Sequence, residues 1–225
     1  MNGDAEVSKS TLQAPYWESI GSTFGSLGFT PKGRSIGTLP TEISNFQIGN
    51  LPYYGYMQGQ DIALLLKLAV QNEPQVPSKS LAEGLFISRS EVSKALKRCV
   101  DAVLLYMSGS EKRVNRSALM EFLAHGLKYA FPAARGSLVR GVPTAAAAEP
   151  LKSRFLEDGE PPTVWPFAEG KTRGISLAPL YAGAPKAALR DPKFYSVLAL
   201  SDAIRSGRTR EKNLAVELLG KELNA

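Results

Sequence analysis

The sequence predicts a mainly α fold with a small β wing, and three observations predict it. Residues 58–71 place Ile62, Leu65, Leu66 and Ala69 on one helical stripe, widened by Leu64 and Leu68. A short helical segment beginning at Ser78 is followed at once by Ser88-x-x-Glu91, the capping-box pattern that starts a second helix. Val103 to Ser108 and Lys112 to Asn115 are β-competent runs on either side of a Gly109-Ser110-Glu111 turn.

Composition narrows the classes. With 225 residues, 44% of them hydrophobic and 21% charged, the chain can build one main core plus an extension. A net charge of +6 favours a polyanionic partner, though an acidic protein or a membrane surface would also suit it. The single cysteine, Cys99, excludes an intramolecular disulfide, and no Cys/His spacing suits zinc. No run approaches a membrane span, and the first residues lack a signal peptide's basic start and apolar core, so a soluble, cytoplasmic protein is expected.

From Met1 to about residue 56 the chain is rich in Gly, Ser, Thr and Pro without sustained periodicity, and residues 1–56 read as a poorly ordered extension. Gly21, Gly25 and Gly28 match no phosphate-loop spacing. Met57 precedes the first periodic segment and is a candidate start of the folded unit, or even of the natural chain. The first helix ends in Asn72 to Pro77, where Pro74 and Pro77 cannot continue it. Ser78 is expected to cap the second, which carries Leu81, Ala82 and Leu85 and is closed by Gly84 and the Phe86-Ile87 pair.

In the third helix Val92, Ala95, Leu96, Cys99 and Val100 form the expected core stripe, leaving Arg89, Ser90, Ser93, Lys94 and Lys97 opposite. Arg89, Ser90 and Ser93 lie in the first turns, where a recognition helix presents side chains to base edges; Lys94, Lys97 and Arg98 lie where phosphates would be. Arg98 borders the core stripe, so pairing with Glu or Asp is its alternative role. The return strand adds Lys112 and Arg113, followed by Arg116. From Lys79 to Arg116, eight cations (Lys79, Arg89, Lys94, Lys97, Arg98, Lys112, Arg113, Arg116) stand against Glu83, Glu91, Asp101 and Glu111, a surplus of four within the chain's +6.

This order, helix, helix-turn-helix, strand-turn-strand and a further helix from Asn115-Arg116-Ser117, resembles the bacterial MarR-like winged helix-turn-helix transcriptional regulators over about residues 58–131. The resemblance implies a winged helix-turn-helix DNA-binding domain at 57–132 and double-stranded DNA as partner. Two departures are visible: the wing is short, and no long flanking helices form an obvious dimer stalk.

Ser117 to Ala130 reads as a helix stopped by Phe131-Pro132, with Leu119, Phe122, Leu123 and Leu127 inward. Within it Gly126 allows close packing against another helix, and the only histidine, His125, reads as structural. Residues 133–225 are expected to be an irregular and helical C-terminal region for oligomerisation or partner binding. Short strands at Val164-Trp165 and Gly174-Ile175 fit there; Arg135, Arg140, Lys171 and Arg173 could extend a DNA surface, or Trp165 and Tyr181 could anchor a protein. Asp191-Pro192 opens a helix with Phe194, Val197, Leu198, Leu200 and Ile204 along it; Ser206-Gly207-Arg208 breaks it, and Thr209 starts a terminal one.

The leading expectation is a sequence-specific DNA-binding transcriptional regulator, dimeric because one recognition helix buries little surface. The alternative is an antitoxin-like module that holds a protein partner through its C-terminal half and represses its own operon. No nucleophile elbow, metal triad or phosphate loop supports an enzyme, and no cofactor or metal is expected.

Overall fold

A helix that is apolar nearly all round can be stable only inside the protein, and the segment Gly59–Gln71 (α1) takes that place. In the computed structural model, which describes residues 56–155 and 159–224, every residue of α1 from Asp61 to Ala69 is buried, Asp61 and Lys67 included. The expectation for residues 1–56 lies outside the described residues except for its last position. The described residues belong to one compact unit.

One side of α1 packs on α2 (Ser78–Leu85), α3 (Arg89–Asp101) and the antiparallel hairpin β1 (Leu105–Ser108) and β2 (Glu111–Val114). Helix α2 starts one residue earlier than its serine suggests: the Pro77 carbonyl accepts the Leu81 N–H at 3.1 Å, so Pro77 is the cap and Ser78 is already helical. Phe86 ends it in the left-handed region at φ 55, where Ile87 N–H reaches back to the Ala82 carbonyl at 3.1 Å. At α3 only half of the expected capping box forms. Ser88 Oγ accepts the Glu91 N–H at 3.1 Å, but the Glu91 carboxylate accepts from Gln60 and Lys94 instead. Val92, Ala95, Leu96 and Cys99 are buried as the stripe predicts, whereas Val100 is 38% exposed.

After the hairpin, Asn115 Oδ1 accepts the Ala118 N–H at 3.2 Å and starts α4 (Arg116–Glu121), which widens into a π-helical segment, Phe122–Gly126, before α5 (Leu127–Ala130). Gly126 faces the Phe122 ring of its own helix, not a neighbouring helix: a Cβ there would lie 2.9 Å from that ring.

The expected irregular region contains a closed three-stranded sheet: β3 (Arg135–Pro143) runs antiparallel to both β4 (Thr163–Pro166) and β5 (Thr172–Leu177), which also pair in parallel with each other. Glycine permits the closure, since a Cβ on Gly141 would fall 2.0 Å from the Trp165 carbonyl oxygen. The sheet is fastened to α7 (Pro192–Ser206) through buried Asp202, which accepts from Thr144 Oγ1 at 2.9 Å, Trp165 Nε1 at 2.5 Å and Arg205 Nη1 at 2.6 Å. Burial pushes the Asp202 carboxyl up, against Arg205 and the two neutral donors. Trp165 is 1% exposed and Tyr181 8%, so both belong to the core and not to a partner-binding surface.

A seven-residue helix, α6 (Ala184–Arg190), and the terminal α8 (Thr209–Asn224) complete the unit. The boundary expected between residues 132 and 133 does not divide the packing: one core runs from α1 to Phe194, Val197 and Leu219. The reason is chemical. Lys67, buried on α1, needs an anion, and Asp191 at the start of α7 supplies it. Among the described residues, no helix is long and apolar enough to cross a membrane.

Partial burial pushes the Asp191 carboxyl up, but Lys67 and the Phe194 N–H more than offset this and hold it below the ordinary aspartate value. Because the folded-state pKa is depressed, its contribution to stability is complete above the unfolded value of about 4 and is lost as pH falls through the folded value. Asp191→Asn keeps a residue able to cap α7 while removing the ion pair. It should cost about 3 kcal/mol at neutral pH and flatten the acid limb of the stability curve below about pH 4; urea titrations across that range measure both.

Candidate nucleic-acid interface

Helix α3 is amphipathic in a way that separates two chemistries. Its buried stripe faces α1 and α2, and on the other side Arg89, Ser90, Ser93, Lys94 and Lys97 are all exposed. At about 100° per residue these five fall within one face roughly opposite the stripe. Arg89, Ser90 and Ser93 occupy the first turns, and Lys94 and Lys97 extend the face toward the hairpin end of the helix. Lys94 Nζ is 3.0 Å from Glu91 Oε1, an exposed pair that water screens. Lys94 and Gln60 hold the Glu91 carboxyl below its ordinary range. Arg89 and Lys97 have no ion pair among the described residues.

Arg98 behaves differently. It lies between the exposed face and the core stripe, and its guanidinium makes a two-pronged contact with Asp61, Nε to Oδ2 at 2.7 Å and Nη2 to Oδ1 at 2.6 Å. The side chains are 11% and 0% exposed, and the Asp61 contact raises the Arg98 pKa. Asp61 Oδ2 also accepts the Gln58 N–H at 2.7 Å at the start of α1. The proton of neighbouring Cys99 is held by burial, which pushes the thiol pKa up. Of the two roles open to Arg98, the structure uses its charge inside the protein.

Two of the three remaining cations are likewise engaged. Lys112, 9% exposed, donates from Nζ to the Val76 carbonyl at 2.9 Å and the Ser110 carbonyl at 3.1 Å, while its backbone N–H reaches the Pro74 carbonyl at 2.7 Å. It clamps the hairpin to the α1–α2 loop. Arg116 Nη2 donates to the Ala69 carbonyl at 2.9 Å and Asn72 Oδ1 at 2.8 Å, closing the C-terminal end of α1, where a cation opposes the helix dipole. Arg113 remains outward: its side chain is 72% exposed, with Glu111 at 3.1 Å. The available expected set is therefore Arg89, Ser90, Ser93, Lys94, Lys97 and Arg113, while Arg98, Lys112 and Arg116 position the elements that carry it.

Asp61 and Asn72, the partners that make this division, were not singled out from sequence. A signal for Asp61 existed, since it stands three residues after the α1 cap. Arg135, Arg140, Lys171 and Arg173, the cations expected to extend a DNA surface, lie on or beside the sheet and not on α3 or the hairpin. Arg135 donates to the Ser206 carbonyl at 3.2 Å, Arg140 stands directly opposite Arg173 in the β3–β5 register, and Lys171 immediately precedes β5. His125 is exposed, and among the described residues no group of three or more His, Cys, Asp or Glu could hold a metal.

Arg98→Ala leaves the Asp61 carboxylate buried without its cation and should destabilise the fold by about 3–5 kcal/mol. Lys97→Ala, one residue earlier on the exposed face, should stay within about 0.5 kcal/mol of wild type. Chemical unfolding of the two variants side by side tests the division of roles; equal stabilities would refute it. Comparison with protein-family models, with curated proteins and with solved structures found no match to the chain.

Proposed function

We propose that the protein is a sequence-specific double-stranded-DNA-binding regulator, MarR-like in its winged helix-turn-helix, that acts by binding and release without chemistry. In this reading α2 and α3 are the helix-turn-helix and β1–β2 is the wing. Arg89, Ser90 and Ser93 read base edges, and Lys94, Lys97 and the wing residue Arg113 hold phosphates. The observation that carries the reading is the exposed polar and cationic face of α3, set opposite a fully apolar stripe and beside a short hairpin. A homodimer with two α3 helices fits better than one chain, because a single recognition helix buries too little surface for specificity.

The alternative is an antitoxin-like protein whose C-terminal half holds a partner. The DNA reading is favoured over it because the aromatic anchors that half would offer, Trp165 and Tyr181, are buried. Selection of bound fragments from host genomic DNA at two salt concentrations is the direct test. Lys97→Ala should lower the slope of log affinity against log salt by about 0.9 without changing the selected sequence. Arg89→Ala should cost about 1–3 kcal/mol on the preferred site and relax its preference. Unchanged affinity in both variants would sink the assignment, and a partner co-purifying in stoichiometric amount would favour the alternative.

A further inference from the structure

We propose that α6 extends the DNA-facing surface, with Lys186 and Arg190 holding backbone phosphates beside the entry to α3. The inference rests on the DNA reading above and assigns the C-terminal half a direct part in it.

The inner face of α6 is Ala184, Pro185, Ala187 and Ala188, all buried, and such small side chains let the helix lie close against α2. Gly183, just before it, is nearer still: a Cβ there would sit 2.5 Å from the Leu85 carbonyl oxygen and 3.4 Å from the Phe86 Cβ. The helix is thus docked on the turn that joins α2 to α3. At its C-terminal end the Arg190 guanidinium carbon lies 4.4 Å from the centroid of the Phe86 ring. Phe86 is the left-handed residue that ends α2, three positions before Arg89.

Stacking of this kind fixes a guanidinium by its face and leaves its in-plane N–H donors free for a phosphate. Lys186 lies one helical turn before Arg190, and residues at that spacing share a face. Both are exposed, and neither has an ion pair or side-chain hydrogen bond among the described residues. Nearby acids are engaged elsewhere: Asp191 with Lys67, and Glu83, the one acid on α2, with Lys79 on its own helix at 4.0 Å. Two unneutralised cations, one of them held on the turn that leads into the proposed reading head, fit a polyanionic backbone.

The test uses the full chain and duplex fragments selected by the wild-type protein, with affinity measured as salt is varied. Lys186→Ala with Arg190→Ala should lower the log–log salt slope by about 1.8, a loss of tens-fold near 0.1 M salt, with the selected sequence unchanged. Lys186→Ala alone, at an exposed position clear of the Phe86 contact, should lower it by about 0.9, and Arg190→Lys should keep the wild-type slope because the charge remains, while weakening binding because an ammonium does not stack on Phe86 as the guanidinium does. Thermal unfolding confirms that each variant is folded. Wild-type binding with unchanged slopes in the folded alanine variants overturns this inference alone; failure of the wild-type protein to bind any duplex overturns it together with the reading it rests on.

Discussion

Enclosing α1 on every side is the constraint from which the remaining arrangement follows. A helix that carries Asp61 and Lys67 into the interior cannot leave either charge unpaired, because an isolated ion in a medium of low polarizability costs several kcal/mol even after relaxation. Asp61 is met by Arg98 from α3, and Lys67 by Asp191 from the start of α7. The two pairs draw one element from each half of the chain onto the same helix. Such pairs add little net stability over an apolar replacement; their effect here is orientational. The two-pronged Asp61 contact fixes the rotation of α3 about its axis, and that rotation turns Arg89, Ser93 and Lys97 outward.

The second pair explains why the C-terminal half is not an appendage. Asp191 both neutralises Lys67 and caps α7 through the Phe194 N–H at 3.0 Å, so α7 begins where α1 needs an anion. About three helical turns further along, Asp202 gathers Thr144, Trp165 and Arg205 and so holds the closed sheet against the same helix. The sheet, α7 and α1 form a continuous line of packed and hydrogen-bonded elements, with the α3 face at one end. Removing the C-terminal half would uncover Lys67 and the apolar side of α1, which makes that half part of the fold that presents α3.

What could be read in the sequence was what depends on near neighbours. The start of α3 at Ser88, its buried stripe apart from Val100, the hairpin turn at Gly109 and the Asp191-Pro192 opening of α7 are set by residues within a few positions of one another, and each stands where the pattern puts it. What was not legible depends on partners far along the chain. Arg98 meets Asp61 across 37 positions, Lys112 meets Val76 across 36, and Arg116 meets Ala69 across 47. No local pattern distinguishes a cation that will find such an acceptor from one that will stay in water. Strand β3 was hidden for a related reason: its two glycines weaken any strand signal, and the need for Gly141 appears only once Trp165 lies across it. Helix α6 buries alanines and a proline, so it has no apolar stripe to announce it.

The charge surplus of residues 79–116 must be understood in the same physical terms. Of its eight cations, Arg98 neutralises a buried carboxylate, and Lys112 and Arg116 serve backbone carbonyls. Lys79, Lys94 and Arg113 each stand beside an acid on their own element. Of the eight, only Arg89 and Lys97 are exposed and have no ion pair among the described residues. Exposed pairs are weak, and a phosphate can take the lysine or arginine while water resolvates the carboxylate, but each exchange returns less than an unengaged cation would. A reading head with two unengaged cations per chain has a thin electrostatic grip. If it binds DNA as proposed, it must find further cations, either by pairing two chains across a two-fold axis or by drawing on a neighbouring element such as α6, and these two sources are compatible because α6 lies against the turn into α3.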